Sequence, residues 1–175
     1  MKRIFNLDNL SESTVVSKTA RANQYENSIS ACGCLFYKRK PTGTEALLIS
    51  YADPVWPNLD DFGGQIDPTD SSLVGAMARE IAEESNGLIK GTIMGSDLTF
   101  DAAKDYQAFY TPQSKYFCLA VEVGDDFFPD TSVFGDFEEA DKIYRTIKWY
   151  KLSSVRDKLA YRIRYNTDLL NAISL

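Results

Sequence analysis

The sequence predicts a single mixed α/β domain, and three observations carry that expectation. The chain has 175 residues, the length of one domain, and 44% of them are hydrophobic, enough for one core. Residues 28–52 read as two β-type runs across a turn, whereas beyond Asp70 the apolar period becomes that of a helix. No internal repeat or linker-like stretch divides the remainder.

Each element follows from local pattern. Residues 1–27 are polar and irregular and read as a loosely ordered or peripheral arm, which leaves 28–175 as the domain. "SISACGCLFYKRK" (28–40) reads as a strand, "PTGT" as a turn and "EALLISYA" (45–52) as the partner strand of a hairpin. A loop containing Trp56 then leads to Phe62 and to Gly63-Gly64, which reads as a turn. Val74, Met77, Ala78 and Ile81 fall at i, i+3, i+4 and i+7 and define the buried face of a helix. Asp70 or Ser71 can cap its start, and Asn86-Gly87 supply a left-handed stop. "LIKGTIM" (88–94) reads as a strand, and "QAFYT" (107–111) with "KYFCLAVEV" (115–123) as a hairpin. "IYRTIKWYKL" (143–152) is a late strand. Residues 154–175 carry Val155, Leu159 and Ile163 at helical spacing, and predict a terminal helix docked on the sheet.

Composition narrows the chemistry. A formal net charge of −6 argues against wholesale nucleic-acid binding. The first residues lack a signal-like apolar stretch and no run reaches membrane-span length, so a cytoplasmic protein without a membrane partner is expected. Cys32, Cys34 and Cys118 are odd in number and match no metal-binding spacing, and read as reduced, buried thiols. There is no histidine, which removes Ser-His-Asp and Cys-His catalysis and His-ligated zinc. Acid–base work therefore falls to carboxylates, Lys, Tyr or metal-bound water.

One stretch concentrates carboxylates. In "GGQIDPTDSSLVGAMAREIAEESNG" (63–87), Glu80, Glu83 and Glu84 fall within an arc of roughly 100° on a helix, beside the apolar stripe. Acids crowded at the edge of a core repel one another unless a cation joins them, and hard oxygen ligands at this density suit Mg²⁺ or Mn²⁺. Arg79 is the adjacent cation that can orient a carboxylate, and a backbone carbonyl at Gly63 or Gly64 can complete a metal shell.

The segment resembles the Nudix box: Gly, five residues, Glu, seven residues, then Arg-Glu-aliphatic-x-Glu-Glu-x-Gly-aliphatic. Gly64, Arg79, Glu80, Ile81, Glu83 and Glu84 match it directly. Such a coincidence is expected in roughly one chain in 10⁴ from ordinary residue usage. Asp70 replaces the first Glu, and eight residues rather than seven separate it from Arg79. Asn86 stands at the usual glycine, followed by Gly87.

The resemblance implies a Nudix-type α/β/α sandwich with a mixed central sheet over roughly 28–173. It implies hydrolysis of a diphosphate linkage in a nucleoside diphosphate joined to another group. Glu83, Glu84 and Gly64 would bind the metal; Glu80 would be a ligand or the base, and Arg79 its orienter. Glu138 and Glu139, in the acidic loop 124–141, are candidates for a further carboxylate, as is Glu122. The resemblance also makes a homodimer a candidate assembly.

Substrate choice is less specified. Aromatics available to stack on a base are Trp56, Tyr51, Phe62, Phe109 and Tyr110. Tyr106 stands near the position where the dinucleoside polyphosphate branch often has tyrosine. Residues 142–164 carry eight Lys or Arg against one acid, a stripe that would suit RNA-cap hydrolysis by the same box. A catalytically silent module that senses a nucleotide or ADP-ribose is the reading from a different class.

Overall fold

A computed structural model describes residues 29–52, 58–94, 97–100 and 102–174. The proposed arm (1–27) and Trp56 lie outside these residues. The chain builds a sheet from β1 (Ala31–Lys40), β2 (Gly43–Tyr51), β3 (Leu59–Asp60), β4 (Phe62–Gln65), β7 (Ala103–Thr111), β8 (Tyr116–Val123), β9 (Phe137–Glu138) and β10 (Ile143–Lys151). Two further strands, β5 (Thr92–Met94) and β6 (Asp97–Thr99), pair with each other in a separate sheet.

The main sheet runs in the order β7-β8-β1-β2-β10-β9, with β3 added to β2 and β4 to β1. β1 pairs in parallel with β8 and antiparallel with β2 and β4, so the sheet is mixed. Both expected hairpins, β1-β2 and β7-β8, form.

Alternation along β1 explains the layering. Cys32, Cys34 and Phe36 face one core together with Val74, Met77 and Ile81, while Leu35 and Tyr37 face a second core with Leu159, Ile163 and Leu169. A strand apolar on both sides must be covered on both, which makes the three layers. Each fully buried Leu, Ile or Phe in these layers contributes roughly 1.5–3 kcal/mol. All three cysteines are free and buried.

Helix α1 (Leu73–Glu84) covers the first face. Its cap is Ser72, whose hydroxyl accepts from Gly75 N at 3.0 Å, rather than Asp70 or Ser71. Asp70 is engaged elsewhere, as described below. The stop forms as expected: Asn86 (φ 52°) and Gly87 (φ 74°) are left-handed, and Gly87 N closes on Ala82 O at 2.6 Å.

Three further expectations need correction. Gly63-Gly64 is no turn; both residues lie in extended β4, opposite Gly33 and Cys32 of β1. Glycine is needed there for close approach, because a Cβ on Gly33 or Gly63 would collide with the Tyr116 hydroxyl and with backbone across the pair. The strand expected over 88–94 is limited to Thr92–Met94, because the turn that ends α1 continues past Leu88.

The terminal helix is a chain of short pieces: α2 (Leu152–Val155), a 3₁₀ turn at Arg156–Lys158, α3 (Tyr161–Arg164) and α4 (Thr167–Ile173). The break falls at Leu159-Ala160, where the backbone extends to reach β3 and Ala160 N donates to Leu59 O at 2.8 Å. Val155, Leu159 and Ile163 are nonetheless buried, as their spacing requires.

Candidate active site

Helix α1 runs past β4, and the groove between them deepens into a cleft of about 670 Å³. Its lining includes Tyr51, Asp60, Gly64, Arg79, Glu80, Glu83, Glu84, Glu138, Asp141 and Arg162. The helix brings the acids there because its polar edge borders its buried face: Ile81 and Glu84 are both buried on α1.

Arg79 organises one wall. Its Nε and Nη2 donate to the two oxygens of Asp70 at 3.0 and 2.8 Å, and Nη1 donates to Glu80 Oε1 at 2.8 Å and Glu83 Oε2 at 2.9 Å. Nη2 also donates to Gln65 O at 3.0 Å. Asp70 meets the guanidinium although eight residues, rather than seven, separate it from Arg79. Arg79 holds the Asp70 carboxyl below the usual carboxylate range.

Glu80 lies against Gly64: a Cβ on Gly64 would stand 2.5 Å from Glu80 Oε2, so a larger residue would displace the carboxylate. Burial pushes the Glu80 pKa up, against the pull of Arg79.

Glu84 is deeper. Tyr51 Oη donates to its Oε1 at 2.7 Å, while Oε2, also buried, has no hydrogen-bond partner among the described residues. Burial drives the Glu84 pKa well above the carboxylate range, opposed by Tyr51 and Arg162.

Another part of the cleft lining comes from β9 and the turn that joins it to β10. Glu138 is 3% exposed and its pKa is raised by burial and then by Asp141. Glu139 points to solvent and pairs with Lys142 at 3.1 Å, so adjacent acids take different surroundings. Glu122 pairs with Arg39 and does not line the cleft.

A third group escaped the sequence reading. Arg162, from α3, donates through Nε to Asp60 Oδ1 at 2.8 Å and to Asp61 Oδ1 at 3.1 Å, and through Nη2 to Gly63 O at 2.8 Å. Asp61 is wholly buried and also accepts from Tyr116 Oη at 2.8 Å. Burial pushes Asp60 up to about 7, with Arg162 opposing and Asp61 adding. The only hint in the sequence was the Asp-Asp doublet before Phe62, because Arg162 is a hundred residues away.

The aromatic candidates separate clearly. Tyr51 lines the cleft, where its hydroxyl is committed to Glu84. Phe62 and Tyr110 are buried and absent from the cleft lining, as is Phe109. Tyr106 is also in the core, with its hydroxyl bonded to Phe100 N and O, and so cannot meet a ligand in the cleft. The basic run 142–164 is not one stripe, since Arg145 is 1% exposed and Arg162 turns into the Asp60-Asp61 pair.

The donor set fits a hard divalent cation. An unpartnered buried carboxylate oxygen on Glu84, beside acids whose ionised forms burial disfavours, is what such an ion would relieve. Among the described residues no three acids already converge as a cage. Glu80 and Glu83 rest on Arg79 instead, so a cation joining them to Glu84 would compete with that guanidinium.

No protein-family model and no curated protein matches the sequence. Solved structures resemble the chain at low identity. A C. elegans Ap4A hydrolase binary complex is 18% identical over 82% of this chain and 96% of that one, with a TM-score of 0.49. A NUDIX hydrolase from Nitrosomonas europaea is 14% identical over 81% and 88% (TM-score 0.43). The NUDIX domain of Shewanella oneidensis NrtR, complexed with ADP ribose, is 13% identical over 82% and 87% (TM-score 0.47). A mixed sheet between two helical layers, with the helix bearing Arg79, Glu80, Glu83 and Glu84 set against its Gly-Gly strand, is the architecture that the Nudix-box resemblance implies.

Proposed function

We propose that the protein is a Mg²⁺- or Mn²⁺-dependent hydrolase that cleaves a diphosphate linkage in a nucleoside diphosphate joined to another group. The observation that carries this reading is the charge of the cleft. Asp60, Asp67, Glu80, Glu83, Glu84, Glu138 and Asp141 line it against Arg79 and Arg162, and both arginines are already paired. A diphosphate is repelled by such a surface unless cations accompany it. Bound divalent cations supply charge neutralisation on the phosphate oxygens and a more acidic water.

The residues divide the remaining work. Glu80, Glu83 and Glu84 would hold the cation on the helix wall, with Tyr51 fixing Glu84 Oε1 so that Oε2 stays free, and Arg79 restraining Glu80 and Glu83. Glu138 lines another part of the cleft. Asp60, whose carboxyl burial pushes above the usual range, lines the same cleft and is held there by Arg162. Ligands named in the structural neighbours, Ap4A and ADP ribose, set the first substrates to try.

The test is a hydrolysis panel with and without EDTA: ADP-ribose, NADH, diadenosine polyphosphates, nucleotide sugars, nucleoside triphosphates and capped RNA, with products identified by mass. Metal-dependent cleavage of one class is the expected result. Glu83→Gln is expected to lower kcat roughly 10²–10³-fold, the scale on which one charge-stabilising group acts, with the thermal transition retained. Undiminished turnover by this variant would remove Glu83 from the site.

A further inference from the structure

We propose that Asn86, at the position where the box pattern has glycine, is the positioning residue that sets Glu138 in the cleft. The inference rests on the hydrolase reading above and names a part of the same site. Asn86 needs a left-handed backbone (φ 52°), for which glycine is better suited, so its side chain must account for its presence.

That side chain brackets one residue. Asn86 Nδ2 donates to Phe137 O at 2.9 Å and reaches Phe134 O at 3.4 Å, while its Oδ1 accepts from Glu139 N at 3.1 Å. The single amide therefore satisfies the main-chain groups immediately before and after Glu138. Only a group that both donates and accepts can do this; glycine offers neither, and a carboxylate would face the Phe137 carbonyl without a proton to share. Glu138 is left buried and lining the cleft, while Glu139 points outward to Lys142.

A second clasp confirms the direction of the tether. Arg145 is buried and joins the same loop to the same helix end, with Nη1 on Phe134 O and Gly135 O at 3.1 Å and Nη2 on Glu84 O at 2.8 Å. Arg145 fixes where the loop starts, and Asn86 fixes the residue that reaches the cleft. The two walls are thereby joined at the end of α1, two residues beyond Glu84.

The experiment compares the full chain with Asn86→Gly, Glu138→Gln and the double variant. Glycine accepts the backbone geometry, so N86G is expected to fold. Its kcat should fall about 10–100-fold, the scale on which residues that support a site from behind act, with KM little changed. The double variant should be no worse than E138Q alone, since N86G acts only through Glu138. An undiminished kcat in N86G, or a further full-sized loss on adding N86G to E138Q, would overturn the proposal.

Amide hydrogen exchange at Glu139 separates this idea from the hydrolase reading. Protection should fall at least about 10-fold in N86G and persist in E138Q, whatever the protein hydrolyses. Unchanged protection in N86G would overturn the clamp. If instead the parent protein turns over nothing in the panel, the hydrolase reading fails while the exchange result still decides whether Asn86 holds the loop.

Discussion

Arg79 presents five N–H donors, and five acceptors on Asp70, Glu80, Glu83 and Gln65 receive them. Its role is therefore to hold carboxylates in place, and it has no donor left for a phosphate while they are bound. Tyr51 performs the matching service for Glu84. Tyr51→Phe should remove the hydroxyl that anchors Glu84 Oε1, weakening Mn²⁺ binding and turnover about 10–100-fold, as read by calorimetric titration and steady-state kinetics; wild-type affinity would contradict the assignment. At this scale the box residues were legible because their spacing is local to one helix. The cluster of Asp60, Asp61, Tyr116 and Arg162 was not, because its members meet only through tertiary structure. Gly63-Gly64 was misread for a different reason: glycine serves both positive φ and close approach, and the sequence does not say which.

Helix α1 takes its start and stop from short polar residues, and only the stop was assigned correctly from the sequence. Asp70 looked like a cap but is bonded to Arg79, which leaves Ser72 to satisfy Gly75 N. Ser72→Ala is expected to cost about 1 kcal/mol in urea unfolding, with no change in substrate preference. A cost near zero would mean that Ser71 or water replaces the cap. The C-terminal elements show the opposite balance. Their apolar spacing correctly gave Val155, Leu159 and Ile163 as buried, yet the helix is interrupted where Leu159 bridges to Leu59. Burial pattern survives such a break, while continuity depends on a strand distant in sequence.

The whole molecule carries several carboxyls that the fold keeps protonated more readily than the unfolded chain does. Asp60 moves from an ordinary value of 3.8 to about 7, and Glu80, Glu84 and Glu138 also shift upward. Between those values the folded state binds more protons than the unfolded state, so stability should fall as pH rises from about 4 toward 7. The urea midpoint of the metal-free protein should decline over that window, and Mg²⁺ should reverse much of the decline at pH 7. At about 100 times its Kd, a ligand of the folded state alone adds roughly 2.7 kcal/mol. A midpoint that rises with pH would contradict the burial of these acids.

The Asp61 cluster acts at the same scale, joining the sheet to the C-terminal layer. Arg162→Met should leave Asp61 buried without its cation and cost about 3–5 kcal/mol by chemical denaturation; a loss below about 1 kcal/mol would assign the neutralisation to another group. The position of Arg162 also matters during synthesis. Every carboxylate of the cleft precedes it in the chain, so synthesis delivers Asp60 and Asp61 about a hundred residues before the guanidinium that pairs with them. Until Arg162 emerges, Asp61 is without its guanidinium, which disfavours early closure of the sheet around it. Completion of the cleft is thus timed to the arrival of Arg162.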